Sequence, residues 1–407
     1  MAMVGDRGTG ENPFPWELGV FDAHCHPTDN MASIADIPRM KTATLTIMAT
    51  RGEDQDLVCQ VASQLGTGID SDHIGRVIPG FGWHPWFSHQ ILDPNDDSAS
   101  GVQDADFIPP KDAKLAHYKS VLTPSPEDEM FIQSLPDPKP LSVLIEETRT
   151  RLVANPVALV GEIGLDKAFR LPDAWLPGDI GTRNASLTPG SREGRRLSPY
   201  RVRLDHQKAV LKAQLLLAGE LRRAVSIHSV QAHGTVLELL QELWVGHERE
   251  VLSHRERRRR RSVAGAHDTS DIDEENQDEP ARPASPVFRS FPESRPALPF
   301  PPRICMHSYS GPAEPLRQFL RQSVPSDIYF SFSSVINFSN ASSEKVIEVI
   351  KVLPADRLLV ESDFHCAGLQ MDDRLEEVTR RVCLLRGWTL EEGVRQLAEN
   401  WKHFMFG

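Results

Sequence analysis

Six side chains of metal-binding type stand at the ends of short apolar segments of the sequence. Imidazole and carboxylate groups in this proportion suit borderline divalent cations such as Zn2+, Mn2+ or Co2+. Two such ions about 3.5–4 Å apart can share a carboxylate and activate a water molecule, an arrangement suited to hydrolysis of phosphate esters. If the segments end near one another, the sequence predicts a metal-dependent hydrolase that cleaves phosphodiester bonds. The six residues are His24, His26, Glu162, His228, His307 and Asp363.

Each of these residues, taken singly, also has a purely structural interpretation. The His-x-His pair could be incidental, and either of the later histidines could be an ordinary core residue. Glu162 could be half of a buried ion pair, and Asp363 could cap a helix. A carboxylate in an apolar strand is costly to bury without a partner, which weakens that alternative for Glu162. The six residues together, each following an apolar segment, favour a shared site.

The elements that must position these residues alternate between short apolar runs and segments of helical periodicity. This pattern indicates βαβ units and a parallel sheet. Eight strand candidates predict a (β/α)8 TIM barrel, in which the carboxyl ends of the strands form one mouth. An open doubly wound sheet would need a Gly-rich turn after the first strand, where Asp22-Ala23-His24 stands instead. The strand candidates are residues 19–24, 44–48, 77–81, 158–162, 224–228, 303–307, 328–331 and 358–361.

The chain is predicted to form a single barrel domain over residues 19–407, after an N-terminal extension at 1–18. Three polar, Pro-rich stretches at 92–140, 171–199 and 247–302 are predicted to be insertions. Their composition buries too little apolar surface to offset chain entropy, so we expect disorder or loose loops. Near the C-terminus, Thr389 followed by Glu392 is a capping-box pattern that predicts a final helix packed on the barrel.

Overall composition excludes several classes of protein. The net charge of −12 argues against a protein that coats nucleic acid through surface charge alone. No run approaches the roughly 18 apolar residues of a membrane span, and the first residues lack the layout of a signal peptide. Five cysteines without a Cys-x-x-Cys pair fit a reducing compartment. We therefore expect an intracellular protein, cytoplasmic or nuclear, without membrane association.

Seven ordered segments resemble the TatD family of metal-dependent deoxyribonucleases, a branch of the amidohydrolase-like barrels. The resemblance spans residue 19 to the C-terminus, apart from the three insertions, and large insertions of this kind resemble those of divergent fungal members. The segments read FDAHCH from residue 21, GFGWHPW from 80, VGEIGLD from 160, SIHS from 226, CMHSYSG from 305, YFSFS from 329 and LVESD from 359.

The resemblance implies two divalent ions, Mg2+, Mn2+ or Zn2+, and a substrate that is DNA or a nucleotide-like phosphodiester. By analogy, one ion is held by His24, His26 and Asp363, and the other by His228 and His307, with Glu162 bridging the two ions. Glu162 and Asp363 are the implied catalytic residues, Asp363 taking a proton from the activated water. His84 is a candidate substrate-binding contact to phosphate, although its segment could equally be a packed turn at the rim.

The substrate-binding part of the family pattern is altered in this sequence. The family usually has an arginine two residues after the histidine of the fifth strand, where its guanidinium can grip phosphate; here Val230 stands at that position. Lys167 replaces an aromatic residue, and Phe364-His365 replaces the usual pair after the last aspartate. Lys167, Arg170 or an arginine from an insertion could supply the missing positive charge.

Two other functions remain open from the sequence. One is an amidohydrolase or lactonase on the same barrel, although Glu162 argues against the subclass that bridges its metals with a carbamylated lysine. The other is a catalytically weak protein that binds partners through its insertions. The five arginines from Arg257 to Arg261 could be a nuclear-localisation or nucleic-acid signal. Acidic residues follow them closely, which favours a solvated linker.

Overall fold

A sheet of eight parallel strands forms the centre of the structure, a computed structural model that describes residues 12–66, 69–70, 73–92, 111–175, 178, 180–190, 192–251, 296–339 and 343–407. The strands pair in chain order, which confirms the predicted (β/α)8 barrel. All eight strand candidates are present. They are β1 (Phe21–Cys25), β2 (Thr44–Met48), β3 (Val77–Phe81), β4 (Leu159–Asp166), β5 (Val225–Val230), β6 (Arg303–Met306), β7 (Asp327–Phe332) and β8 (Leu358–Val360).

Helices cover the outside of the sheet. Within the part of the chain that the structure describes, none is long and apolar enough to cross a membrane. Short 3-10 turns complete the connections, among them Pro27–Asp29 and Met31–Arg39 after β1 and Pro85–Gln90 after β3. The α-helices are α1 (Gly52–Leu65), α2 (Lys111–Val121), α3 (Glu129–Ser134), α4 (Leu141–Ala154), α5 (Leu204–Glu220), α6 (His233–Trp244), α7 (Ala313–Phe319), α8 (Ser334–Asn337), α9 (Ser343–Val352), α10 (Leu369–Arg386) and α11 (Leu390–Phe406).

The barrel closes where the chain leaving β8 meets β1. The backbone N–H of Asp363 donates to the carbonyl of His24 over 3.0 Å. The buried carboxylate of Asp22 accepts hydrogen bonds from the backbone N–H and the hydroxyl of Ser362. These contacts tie the first strand to the segment after the last one. They bring the two residues that the sequence separates most widely, His24 and Asp363, to the same point of the rim.

The end of the barrel opposite the carboxyl ends of the strands is sealed by α11, as the capping-box pattern predicts. Thr389 caps this helix and Glu392 bonds back to the backbone of Thr389. Its buried face packs on an apolar layer to which each of the eight strands or its edge contributes one residue. Trp401 also donates its indole N–H to the Thr46 hydroxyl over 3.2 Å. The packed end of the barrel is thereby separated from the open end, where the polar residues lie.

Strand β4 is longer than the sequence predicts and ends at Asp166 rather than at Glu162. All of its residues are buried, and alternate residues share one face, so Glu162, Gly164 and Asp166 point the same way. A Cβ at Gly164 would collide with the carbonyl of His228 on β5. Glycine at this position therefore lets β4 and β5 approach closely, and β4 extends four residues beyond Glu162.

The prediction of disorder is wrong for the described part of the first insertion, residues 111–140. Helices α2 and α3 lie there, and Tyr118, Phe131 and Ile132 form a small apolar core with Leu171 and Val202. These buried rings and aliphatic groups offset the chain entropy that the polar composition alone would not. The rest of that insertion, residues 93–110, lies outside the described residues.

The other two insertions differ in how much of them the structure describes. Residues 171–199 are mostly described and form loops, with a single 3-10 turn at Ile180–Thr182 among the described residues. In the third insertion, residues 252–295 lie outside the described residues, and with them the run from Arg257 to Arg261. Residues 1–11 of the N-terminal extension are also outside. The extent of the single domain stays a prediction.

Arg51, at the end of the β2 segment, fastens residues 171–199 to the open end of the barrel. Its guanidinium donates to the carbonyl of Pro189 over 2.9 Å and pairs with the carboxylate of Asp29 at 2.8 Å. The side chain is only 4% exposed. On the same segment Thr188 donates its N–H to the carbonyl of Asp29 over 2.9 Å. A charged group buried in this way holds its partners firmly.

Replacing Arg51 by methionine is expected to loosen residues 171–199, because the bond to Pro189 is lost. It should also lower the free energy of unfolding by about 3 kcal/mol, because the buried carboxylate of Asp54, 3.4 Å from the guanidinium, loses its cation. Limited trypsinolysis with mass spectrometry should show faster cleavage after Arg183 and Arg192. Arg39→Ala, which removes a side chain that is 77% exposed, is the control and should change neither quantity. Unchanged cleavage in Arg51→Met would contradict this role.

Candidate metal centre

The structure brings all six predicted site residues together at the open end of the barrel, around the carboxylate of Glu162. The two oxygens of this carboxylate face different histidines. Oε2 lies 3.4 Å from Nε2 of His24 and 3.3 Å from Nε2 of His26. Oε1 lies 2.9 Å from Nδ1 of His228 and 2.8 Å from Nε2 of His307. The site thus divides into two halves that share one carboxylate.

Asp363 belongs to the first half. Its Oδ1 lies 3.6 Å from Nε2 of His26, the same nitrogen that faces Glu162. Its φ of 49° is a left-handed conformation, which aspartate tolerates better than most residues. Among the described residues, three groups have ligand atoms close enough to hold an ion, and one of them links His307 to the first half. The groups are His24 with His26 and Glu162, His24 with His307 and Asp363, and His84 with Glu162 and His228.

In His24, His228 and His307, the ring nitrogen that does not face Glu162 has a polar partner of its own. Nδ1 of His24 bonds to the hydroxyl of Ser226 at 2.8 Å. Nε2 of His228 lies 3.2 Å from a carboxylate oxygen of Asp166, and Nδ1 of His307 lies 3.4 Å from Glu361. Metal-binding histidines usually give their second nitrogen to such a partner, which sets the tautomer and the ring orientation. The donor set therefore fits divalent cations in both halves.

His84 is the seventh member of the cluster. Its Nδ1 accepts a hydrogen bond from the backbone N–H of Trp86 over 3.1 Å, so a neutral ring carries its proton on Nε2. That nitrogen lies 3.1 Å from Oε1 of Glu162. Burial lowers the pKa of His84 to about 4, more than the neighbouring Glu162 raises it. His84 is thus a neutral hydrogen-bond donor directed at the centre of the site.

The electrostatics of the cluster depend on Glu162. Burial alone would raise the pKa of this carboxyl, but the imidazoles of His84, His307 and His24 hold it well below its ordinary value. Burial would likewise lower the pKa of His26, yet Asp363 and Glu162 raise it well above its ordinary value. An ionised carboxylate surrounded by imidazoles is therefore the resting charge arrangement. Cations that displace protons from the imidazoles would preserve it.

A cavity of about 850 Å³ opens from this cluster toward solvent. Trp86 and Phe169 form one side as a stacked pair, with ring centroids 4.6 Å apart. The indole N–H of Trp86 donates to Asp166 over 2.6 Å. Residues of the second insertion, among them Trp175, Arg183 and Arg192, also line the cavity. The cavity is large enough for a nucleotide-sized ligand to reach the cluster.

Sequence reasoning missed the residues that orient the histidines: Ser226, Asp166 and Glu361. Two of them carried a usable signal, because a strand places residues i and i+2 on one face. Ser226 stands two residues before His228, and Asp166 four residues after Glu162. For Asp166 the signal was hidden by placing the end of the strand too early. Glu361 accepts hydrogen bonds from the Ser308 backbone and the Ser331 hydroxyl, contacts between strands that carry no local signal.

Comparisons with known proteins agree with the geometry. The chain is 36% identical to Cut9-interacting protein scn1 of Schizosaccharomyces pombe over 388 residues, 95% of this chain and 98% of the relative. It is 26% identical to the uncharacterized deoxyribonuclease YMR262W of Saccharomyces cerevisiae over 348 residues, 84% of this chain and 82% of the relative.

A solved structure shares the fold. The crystal structure of a TatD family hydrolase from Entamoeba histolytica matches with a TM-score of 0.51 at 10% identity, covering 95% of this chain and 98% of that one. The family described as TatD related DNase matches residues 21–405, nearly the whole chain. With the barrel, the clustered histidines and carboxylates and these matches in agreement, the chain belongs to the TatD-related DNase family of hydrolases.

Proposed function

We propose that this protein is a two-metal phosphodiesterase that acts on DNA or on small nucleotide-like esters. The observation that supports it most is the division of the site by Glu162. One oxygen faces His24 and His26, and the other faces His228 and His307. A carboxylate so placed can bridge two cations, each completed by imidazoles from one half. A core ion pair would need only one partner for the same carboxylate.

In this proposal His24, His26 and Asp363 hold one ion, His228 and His307 hold the other, and Glu162 bridges them. Zn2+ or Mn2+ suits this many nitrogens better than Mg2+ does. Two ions bound here would supply an activated water and would offset the negative charge that develops on the phosphoryl oxygens. The remaining chemistry falls to the side chains of the chain itself.

Asp363 is the proposed proton acceptor. Burial alone would raise the pKa of its carboxyl. The hydrogen bond to His26 and the charges of His307 and His24 have a larger, opposite effect, so the pKa lies below its ordinary value and the group is ionised at neutral pH. It lies at the rim, toward the cavity, where a carboxylate can orient a water and take its proton. His84 lines the cavity, and its Nε2–H faces Glu162. This N–H is the proposed donor to a phosphoryl oxygen once the Glu162 carboxylate is taken up by the ions.

Metal content is expected to be close to two ions per chain in the wild type, measured by elemental analysis after purification without chelator. The double variant His24→Ala, His26→Ala removes both imidazoles from the half that includes Asp363, so it should lose about one ion per chain. His247→Ala, which removes an exposed histidine outside the cluster, is the control and should keep the wild-type content. Equal metal content in all three proteins would argue against the assigned ligands.

Asp363→Asn is expected to lower kcat for a dinucleotide roughly 10²- to 10⁴-fold, because the amide cannot accept the proton. Kinetics should be read together with metal content, since a loss of metal would explain the same fall. The substrate panel should include lactones and amides beside dinucleotides and single-stranded DNA. Hydrolysis of lactones or amides with no cleavage of phosphodiesters would replace the proposal by the amidohydrolase alternative.

A role in protein assembly is the second candidate, favoured by the relative in Schizosaccharomyces pombe that is named for its interaction with Cut9. A pull-down that depends on residues 247–302 and persists in the His24→Ala, His26→Ala double variant would support assembly independent of the metal site. If deleting 247–302 removes no partner, the insertion has no such role.

A further inference from the structure

The loop segment 171–199, whose composition gave no function, lies across the open end of the barrel beside the proposed metal centre. It is fastened at two consecutive residues. The hydroxyl of Thr188 donates to the carbonyl of Thr28 over 2.5 Å, and Arg51 donates to the carbonyl of Pro189. Both anchors belong to loops that follow β1 and β2, close to His26. The segment is therefore held in place as one wall of the cavity.

This wall presents positive charge toward the cavity. Arg183, Arg192 and Arg195 all line it, together with Trp175. The guanidinium groups of Arg183 and Arg195 lie 5.8 Å and 5.0 Å from the ring centroid of Trp175. Arg183 is neutralised by Glu193 at 2.7 Å. Among the ion pairs of the described residues, Arg192 has no carboxylate partner.

Arg192 and Arg195 are coupled through their backbones. Nε of Arg192 donates to the carbonyl of Arg195 over 2.8 Å, and Nε of Arg195 donates back to the carbonyl of Arg192 over 3.2 Å. Burial and the neighbouring Arg183 lower the pKa of Arg195, partly opposed by Glu193. A terminal nitrogen of Arg195 also donates to the carbonyl of Asp173 over 3.1 Å. Both arginines line the cavity, so an incoming anion would meet two positively charged side chains there.

Another part of the cavity lining is aromatic and adjoins the proposed metal centre. Trp86 is stacked on Phe169, is 38% exposed and is bonded through its indole N–H to Asp166, which in turn contacts His228. A flat aromatic face and two cationic side chains that line one cavity match the two parts of a nucleotide. Nucleobases stack on such rings regardless of sequence, while guanidinium groups grip phosphate.

The position of these arginines also accounts for the altered family pattern. Val230 lines the cavity, at the position where the family resemblance described above leads one to expect an arginine. Of the cations that the sequence offers as substitutes, Lys167 donates to the hydroxyl of Thr235 over 3.1 Å, and neither it nor Arg170 is among the residues that line the cavity. The substitutes that do reach it come from the second insertion.

We propose that Arg192 and Arg195 bind the phosphate next to the one being cleaved, and that Trp86 stacks the adjoining base, so that residues 171–199 form a binding wall for single-stranded oligonucleotide. The inference rests on the proposed function for the position of the scissile phosphate. In this proposal the second insertion supplies the positively charged contact to phosphate that Val230 cannot make. A wall of this kind recognises the nucleotide backbone and one ring, and is indifferent to base identity.

The test is binding of fluorescein-labelled octathymidylate with phosphorothioate linkages, which resist hydrolysis, to the purified full-length protein with its metals. Arg192→Ala and Arg195→Ala should each weaken binding roughly tenfold, since each removes a charge-assisted contact to phosphate. Each should also reduce the slope of log affinity against log salt concentration by about one. Arg196→Ala is the matched control, because this neighbour is exposed, carries the same charge and does not line the cavity. It should bind within twofold of the wild type.

The outcomes separate this inference from the proposed function. Equal binding by all three variants, or no binding by the wild type, overturns the wall even if the enzyme cleaves DNA. Binding that depends on Arg192 and Arg195 but not on Arg196, in a protein without nuclease activity, supports the wall and removes the hydrolase proposal. Thermal melting of each variant shows whether weaker binding reflects unfolding, and Arg192→Lys, which keeps the charge but loses the planar fork, should recover only part of the affinity.

Discussion

The buried carboxylate of Glu162 is the interaction on which the polar end of this barrel depends. An ionised carboxylate that is 3% exposed is tolerated only if positive charge or hydrogen bonds surround it. Histidines from three other strands and His84 meet that need, and their orientation is fixed in turn by Ser226, Asp166 and Glu361. The arrangement of the histidines around Glu162 therefore satisfies one buried charge, and the same arrangement is the basis of the two-cation site proposed here.

The two ends of the barrel differ in composition: one end is a packed apolar layer, and the other carries the polar residues of the candidate site. One end is filled by side chains from every strand and closed by α11, so packing there does not constrain the open end. At the open end the polar residues follow the strands, and loops that differ from chain to chain can change the cavity without disturbing the ligands. In this protein the second insertion is such a loop, and Arg51 joins it to the rim.

Much of this arrangement was accessible from sequence because it repeats at short range. The apolar runs predict all eight strands, and the placing of His24, His26, Glu162, His228, His307 and Asp363 after them predicts that they converge. The sequence did not predict the features that depend on contacts between distant segments of the chain. Asp166 was lost because glycines interrupt the apolar pattern of β4, and helices α2 and α3 were missed because their few buried residues lie among many polar ones. The bond from Arg51 to Pro189 joins residues 138 positions apart and leaves no trace in either segment.

The most direct test of the account is a crystal structure of the protein soaked with Mn2+, with anomalous diffraction measured near the manganese edge. Two anomalous peaks are expected about 3.5–4 Å apart, on either side of the Glu162 carboxylate. His24 and His26 should lie against one peak, and His228 and His307 against the other. A single peak, or none within bonding distance of Glu162, would contradict the bridging role of this residue and the two-metal chemistry with it.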